Sequence, residues 1–144
     1  MERDLQRKYL QLQLMKQQLN GMLEEKALLD EKISEIAATI DAIENLKDVK
    51  KDQRIWSPIG SAAFVESDLK DSNKILVGVG AGIIVKKTRE GAILTMQERM
   101  QELNSIDKEF MTEINKFSEQ ISVLEPEVQK LAQEEQEKEE RNNK

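Results

Sequence analysis

The chain contains no cysteine and no histidine, and these two absences restrict the kinds of covalent cross-link, catalytic site and metal site that it can form. Without cysteine there is no disulfide framework. Without histidine the chain lacks both the commonest general base and the commonest metal ligand. Since the remaining residues suggest no nucleophile paired with a base, we expect no catalytic, cofactor or metal site and a protein that is not an enzyme.

Aromatic residues and proline are also scarce, at 3% and two residues of 144, whereas charged residues make up 35% of the chain. Such usage is typical of long helices. The net charge of −6 argues against a nucleic-acid partner. The start, MERDLQRKYL, has no signal-like apolar run. The longest apolar run, ILVGVGAGIIV, has 11 residues, whereas a membrane-spanning helix needs about 20. We therefore expect a soluble cytoplasmic protein with no membrane partner.

Heptads begin at Leu5 and predict a long helix that must bury its apolar stripe against a partner helix. Ten of the twelve a and d positions are apolar. The a positions are Leu5, Leu12, Leu19, Lys26, Ile33 and Ile40. The d positions are Lys8, Met15, Met22, Leu29, Ile36 and Ile43. The pattern fades at KDVKKDQR, residues 47–54.

A second set of heptads follows Gly91, with eleven of twelve positions apolar and Pro126 at an outer position. Its a positions are Ile93, Met100, Asp107, Ile114, Ile121 and Val128. Its d positions are Met96, Leu103, Phe110, Phe117, Leu124 and Leu131. The two helices can fold back antiparallel, with layered residues whose numbers sum to 136, such as Leu12 with Leu124. Registers seven residues away, and pairing with another chain, remain open.

Lys26 and Asp107 are two charges in this predicted seam, and the proposed register puts them in adjacent layers. One interpretation is a polar pair that fixes the register of the helices. The alternative is that the lysine side chain extends outward and the aspartate only weakens its layer.

Between the helices the apolar period changes to two, which predicts four short strands in IWSPIG, SAAFVESDL, KILVGV and GIIVKK. The glycine spacing G-x-G-x-G differs from the G-x-G-x-x-G of a dinucleotide site, and no helix-forming run follows it. We interpret Gly80 and Gly82 instead as a tight strand connection or a close approach of another backbone. Four short strands cannot form an independent core, so other subunits are expected to cover them.

The segments WSPIGSAAFV and ILVGVGAGIIVKK, each beside a long heptad helix, resemble the α class of the prefoldin family over nearly the whole chain. The resemblance implies a mainly α fold with a small β region: a long antiparallel two-helix coiled coil joined by two β-hairpins that form an oligomerisation barrel. The expected organisation is a first helix over 1–50, a β-hairpin assembly module over 51–90, a second helix over 91–140 and a frayed tail over 141–144. Trp56 departs from the small aliphatic residue expected before this proline.

The resemblance implies an ATP-independent chaperone subunit that holds unfolded client proteins at its coiled-coil tips and delivers them to a group II chaperonin. The expected partners are β-class prefoldin subunits, in a complex of two α with four β. The alternative is a structural coiled-coil spacer or a filament-forming α-like subunit. Exposed apolar groups at the helix ends would favour the chaperone over the spacer.

Two sets of site residues follow from these expectations. Off-seam apolar residues beside the seam near both termini predict a client-binding surface, with these members: Leu5, Tyr9, Leu10, Leu12, Leu14, Met15, Val123, Leu124, Val128 and Leu131. The strand segments predict a subunit-assembly surface, with these members: Ile59, Gly60, Phe64, Val65, Ile75, Val77, Gly78, Val79, Gly80, Gly82, Ile83 and Val85.

Overall fold

A computed structural model describes residues 2–144 as two long helices flanking two β-hairpins. The elements are, in order, α1 Glu2–Asn45, a 3₁₀ turn Leu46–Asp48, β1 Arg54–Gly60, β2 Ala63–Asp68, β3 Ile75–Gly80, β4 Ile83–Lys87 and α2 Arg89–Asn142. The predicted mainly α fold with two hairpins is confirmed. None of the predicted a and d positions is exposed in either helix, because these positions face the partner helix segment.

The ends of α2 differ from the sequence-based expectation. The helix begins at Arg89 rather than 91, because Thr88 caps it: the Thr88 hydroxyl accepts a hydrogen bond from the Gly91 amide at 3.1 Å. The predicted frayed tail is also partly wrong, since the helix continues to Asn142. Exposed ion pairs one turn apart, such as Lys138 with Glu135 at 3.7 Å, support such a charged helix end.

Both hairpins are antiparallel and belong to separate two-stranded sheets, β1 with β2 and β3 with β4. Each has a register irregularity just before its turn, between Pro58 and Gly60 and between Gly78 and Gly80. Gly80 and Gly82 have φ of 112° and 74°, values that side-chain-bearing residues rarely adopt. The expected tight connection between β3 and β4 is therefore present.

The chain divides into two compact units. The first, called here the terminal unit, combines the described part of Met1–Asp30 with Ser105–Lys144. Its core contains Leu12, Ile121 and Val128. Ion pairs join Lys8 to Glu127 and Lys16 to Glu125, so the two helix segments run antiparallel. Leu12 packs with Ile121 and Val128, which precede and follow Leu124 along α2. This agrees with the predicted register, in which Leu12 and Leu124 share a layer because their numbers sum to 136.

The second, called here the β-bearing unit, spans Glu31–Asn104. Ile43, Val77 and Ala92 form its buried cluster, and Val77 is only 2% exposed. The half-buried residues packed on this cluster are Ile75, Ile93 and Met96. The expectation that other subunits alone cover the strands is therefore wrong for β3, because the chain's own helices cover its inner side.

Val77→Ala should lower the free energy of unfolding of the isolated chain by about 2 kcal/mol, since two buried carbons are removed and a small cavity is left. Leu76→Ala is the matched control on the next residue, whose side chain is 67% exposed, and should change it by less than about 0.5 kcal/mol. Urea denaturation followed by far-ultraviolet circular dichroism measures both. Equal losses for the two variants would contradict the orientation of β3.

Candidate functional surfaces

Exposed apolar side chains of the terminal unit form the first candidate surface. Of the predicted client-binding residues, four are more than half exposed: Tyr9, Leu10, Leu14 and Val123. The other six occupy the seam. Leu12 and Val128 are each only 6% exposed, so the expectation that these two contact a client directly is wrong. Leu5, Met15, Leu124 and Leu131 are half-buried, and all four lie at seam positions.

The exposed residues divide between two grooves on opposite sides of the seam. The Met15 groove is lined by Gln11, Met15, Glu119, Gln120, Val123, Leu124 and Glu127. It continues into a second depression that shares Gln11 and Met15 and adds Arg7, Leu10, Leu14 and Gln18. Together the two depressions contain three of the four exposed apolar residues, Leu10, Leu14 and Val123. The name Met15 groove is used below for both.

The Tyr9 groove lies on the other side and is lined by Tyr9, Leu12, Gln13, Lys16, Glu125, Val128 and Gln129. Gln13 donates a hydrogen bond of 2.9 Å to the Tyr9 hydroxyl, and Lys16 pairs with Glu125 across the helices. Its volume is about 240 Å³, against about 520 Å³ for the first depression of the Met15 groove. The sequence analysis assigned Tyr9, Leu10 and Leu14 to one client-binding surface. Their heptad positions, e, f and c, lie around α1, and the structure places Tyr9 and Leu14 beside different grooves.

The charged seam residues also meet in the terminal unit. The Lys26 ammonium lies 2.8 Å from Asp30 Oδ2 and 3.2 Å from Asp107 Oδ1. The hydrogen bond to Asp30, and then the one to Asp107, raises the pKa of Lys26. The hydrogen bond from Lys26 lowers the pKa of Asp30. Among the described residues, the buried Asp107 Oδ1 accepts no well-aligned hydrogen bond, so the Lys26 charge is its main compensation.

Single substitutions of Lys26 and Asp107 should differ in their cost to stability. Lys26 pairs with two carboxylates, Asp30 and Asp107, whereas Asp107 pairs with one cation among the described residues. Lys26→Leu leaves the Asp107 carboxylate unpaired in the seam and should lower the melting temperature more than Asp107→Leu does. The melting temperature of the double variant should fall by less than the sum of the two single decreases. Thermal denaturation of the four proteins at pH 7 measures this coupling, and strictly additive shifts would contradict a coupled pair.

The pH dependence of the cluster follows from the two pKa directions. The Lys26 contribution should be fully present below its ordinary pKa of 10.5 and be lost as the pH rises through the raised value. The Asp30 contribution should be present above its ordinary pKa of 3.8 and be lost as the pH falls through the lowered value. Asp30→Asn should therefore cost most stability between these limits, as measured by melting temperatures across pH; a constant difference at all pH values would contradict this ion pair.

The hairpins form the second candidate surface. Most of the predicted assembly residues are exposed, including Ile59 and Ile83. Ile75 and Val77 are corrections, because they pack in the chain's own core. The outer side of β3–β4 instead presents Leu76 and Ile84, at 67% and 64% exposure. Sequence reasoning missed both residues, although the same period of two that predicted the strands also marks this opposite face.

Two aromatic residues, Trp56 and Phe64, lie on one face of the β1–β2 hairpin. Trp56 is 70% exposed and lines a shallow cleft with Phe64. Arg54 pairs with Glu66 at 3.0 Å across the same two strands. Exposed aromatic groups of this size are typical of protein interfaces, so this hairpin offers an apolar face for assembly.

Glycine serves different needs at neighbouring positions of β3. Gly80 needs its positive φ, whereas Gly78 has no such requirement, and a side chain there would meet nothing of this chain within 4 Å. The Arg99 guanidinium donates a hydrogen bond to the Gly78 carbonyl. The absence of a side chain at Gly78 therefore leaves room beside the strand that this chain does not fill.

Gly78→Ala should leave the helix content of the isolated chain unchanged and weaken its assembly with a partner subunit, if another backbone approaches at this point. Gly21→Ala is the control, since Gly21 is equally open but lies in α1. It should stabilise the helix by about 0.5–1 kcal/mol without affecting assembly. Circular dichroism and size-exclusion chromatography with light scattering measure the two effects; unchanged assembly of Gly78→Ala would contradict a close approach there.

The described part of the chain, residues 2–144, contains no helix long and apolar enough to cross a bilayer. Within the same residues, no three acidic side chains come together as a metal-binding cluster.

Two long heptad helices that flank two small hairpins with exposed apolar faces define a coiled-coil subunit built for assembly. The family model described as "Prefoldin subunit" matches residues 15–134. The chain therefore belongs to the prefoldin family, and its relatives identify it as an archaeal-type α subunit.

Among these relatives, the prefoldin subunit alpha of Methanococcus vannielii is 30% identical over 132 residues, which cover 92% of this chain and 88% of the relative. The prefoldin subunit alpha of Thermofilum pendens is 27% identical over 93 residues, covering 65% of this chain and 72% of the relative. Both relatives are α subunits by name, which is the class that the two hairpins had indicated.

Two solved structures share the fold. The filamentous PFD of Methanocaldococcus jannaschii, determined by cryo-EM, matches with a TM-score of 0.71 at 22% identity, covering 81% of this chain and 96% of that one. The prefoldin β subunit of Thermococcus strain KS-1 matches with a TM-score of 0.60 at 19% identity, covering 89% and 91%.

Proposed function

We propose that this chain is the α subunit of an ATP-independent holdase, in which exposed apolar residues of the terminal unit hold unfolded proteins until a group II chaperonin receives them. The observation that carries the proposal is the exposure of Leu10, Leu14 and Val123 on a paired helix surface. A spacer helix has no use for such a cluster, whereas an unfolded protein offers apolar side chains to cover it. Methionine at position 15 adds an adaptable side chain suited to unlike clients.

The proposed assembly joins two α subunits with four β-class subunits through the hairpins, in the cytoplasm. Its support is the exposed apolar face that includes Leu76 and Ile84, together with membership of the family. Several subunits on one platform would raise client affinity through effective concentration, because each surface alone is small.

Replacing Leu10, Leu14 and Val123 with serine should leave assembly intact and reduce protection of an unfolded client at least several-fold. The measurement is light scattering of a chemically unfolded client diluted into buffer with the assembled complex, without nucleotide. Leu28→Ser is the control, since Leu28 is an exposed leucine of the same unit (67% exposed) outside the groove. Unchanged protection by the triple variant at matched complex concentration would contradict the proposal.

The second candidate function is a filament or spacer built from this chain alone. The observation that favours it is the exposed pair Trp56 and Phe64, since Trp56 departs from the residue expected in the α class. Native mass measurement of the chain alone, and after mixing with a β-class subunit from the same source, distinguishes the two. A discrete complex of two α and four β supports the holdase, and long polymers of this chain alone support the filament.

A further inference from the structure

The two grooves of the terminal unit differ in charge compensation as well as in size. In the Tyr9 groove the carboxylate of Glu125 is paired with Lys16. In the Met15 groove Glu127 is paired with Lys8 at 3.5 Å, whereas Glu119 has no ion pair among the described residues. The Met15 groove is therefore the side that carries an uncompensated negative charge, that of Glu119.

The surrounding sequence adds to this field. The α2 part of the terminal unit, from Ser105 onward, carries eleven acidic and six basic residues, a net charge of −5. The α1 part, up to Asp30, carries five of each and is neutral. On the α1 side, the one cation of the adjoining depression is Arg7, which contacts Asp4 at 3.5 Å. A ligand lying across Met15 and Val123 thus meets glutamate on the α2 side and glutamine at positions 11, 18 and 120.

The apolar part of the groove has the shape of a strip rather than a pocket. Leu10 and Leu14 lie on α1, Val123 lies on α2, and Met15 joins the two depressions between them. Such a strip can take two or three side chains of an extended segment, while its backbone reaches the glutamine amides at the rim. A folded protein with a rigid surface fits this strip less well than an extended segment does.

From this geometry we propose that the Met15 groove is the client subsite and selects unfolded segments in which apolar side chains adjoin lysine or arginine. The apolar side chains cover Leu14 and Val123, and a cation lies beside Glu119. Acidic segments of equal apolarity are disfavoured, because they meet like charge at the rim. This inference rests on the proposed holdase function and adds which groove binds and what it prefers.

Two fluorescent peptides test the preference on the assembled complex. They share the same unstructured apolar sequence, and one carries lysine where the other carries glutamate. Fluorescence anisotropy at low salt should show that the lysine peptide binds about five-fold more tightly, since it gains one exposed ion pair with Glu119 and avoids a like-charge contact of similar size. The preference should shrink as salt is raised and in the variant Glu119→Gln.

The matched variants test the location. The pair Leu14→Ser and Val123→Ser should weaken binding of the lysine peptide about tenfold, the effect of losing two covered apolar side chains. Leu23→Ser, at an exposed leucine of the same unit outside this groove (46% exposed), should not change it.

The outcomes separate this inference from the proposed function. Equal binding of the two peptides, or equal losses from the groove variants and from Leu23→Ser, would overturn the subsite while client protection by the terminal unit still supports a holdase. If neither peptide binds and the groove variants protect a full-length client normally, both the subsite and the holdase surface are wrong.

Discussion

Burial of the a and d side chains between antiparallel helix segments is the interaction on which the rest of this structure depends. A single amphipathic helix cannot cover its own apolar stripe, so most of its stability must come from packing against another element. Leu12, Ile121 and Val128 supply that burial in the terminal unit, and Ile43 with the half-buried Ile93 supplies it beside β3. Because the seam uses only these positions, other apolar residues remain on the surface.

What remains exposed has the character of two binding surfaces. In the terminal unit, Leu14 and Val123 lie outside the seam beside a groove with glutamate at its rim. In the β-bearing unit, Leu76 and Ile84 lie on the side of the hairpin away from Val77. Under the proposed function, the first surface would hold clients that vary in sequence, and the second would join the subunit to partners of fixed shape.

The heptad repeat and the period of two were enough to predict the helices and the hairpins, because both are local properties of the sequence. The family was indicated instead by the resemblance of the segments WSPIGSAAFV and ILVGVGAGIIVKK. They could not predict which face of a strand packs inward. Val77 and Leu76 are both aliphatic, and only the position of the helices decides that Val77 is covered. The heptads that follow Gly91 do not mark the first residue of α2, because the Thr88 cap starts the helix at Arg89, before the first seam position.

The intrachain register of the seam is the central claim, and spin labels test it directly because the chain has no native cysteine. Labels at Asn20 and Lys116, whose numbers sum to 136, should give a short distance by pulsed electron resonance. Labels at Asn20 and Lys130 should give a clearly longer one, since two further heptads add about 21 Å along the helix. Both distances should persist when the labelled chain is diluted with unlabelled chain. Loss of the signal on dilution, or a shorter distance for the second pair, would contradict an intrachain hairpin in this register.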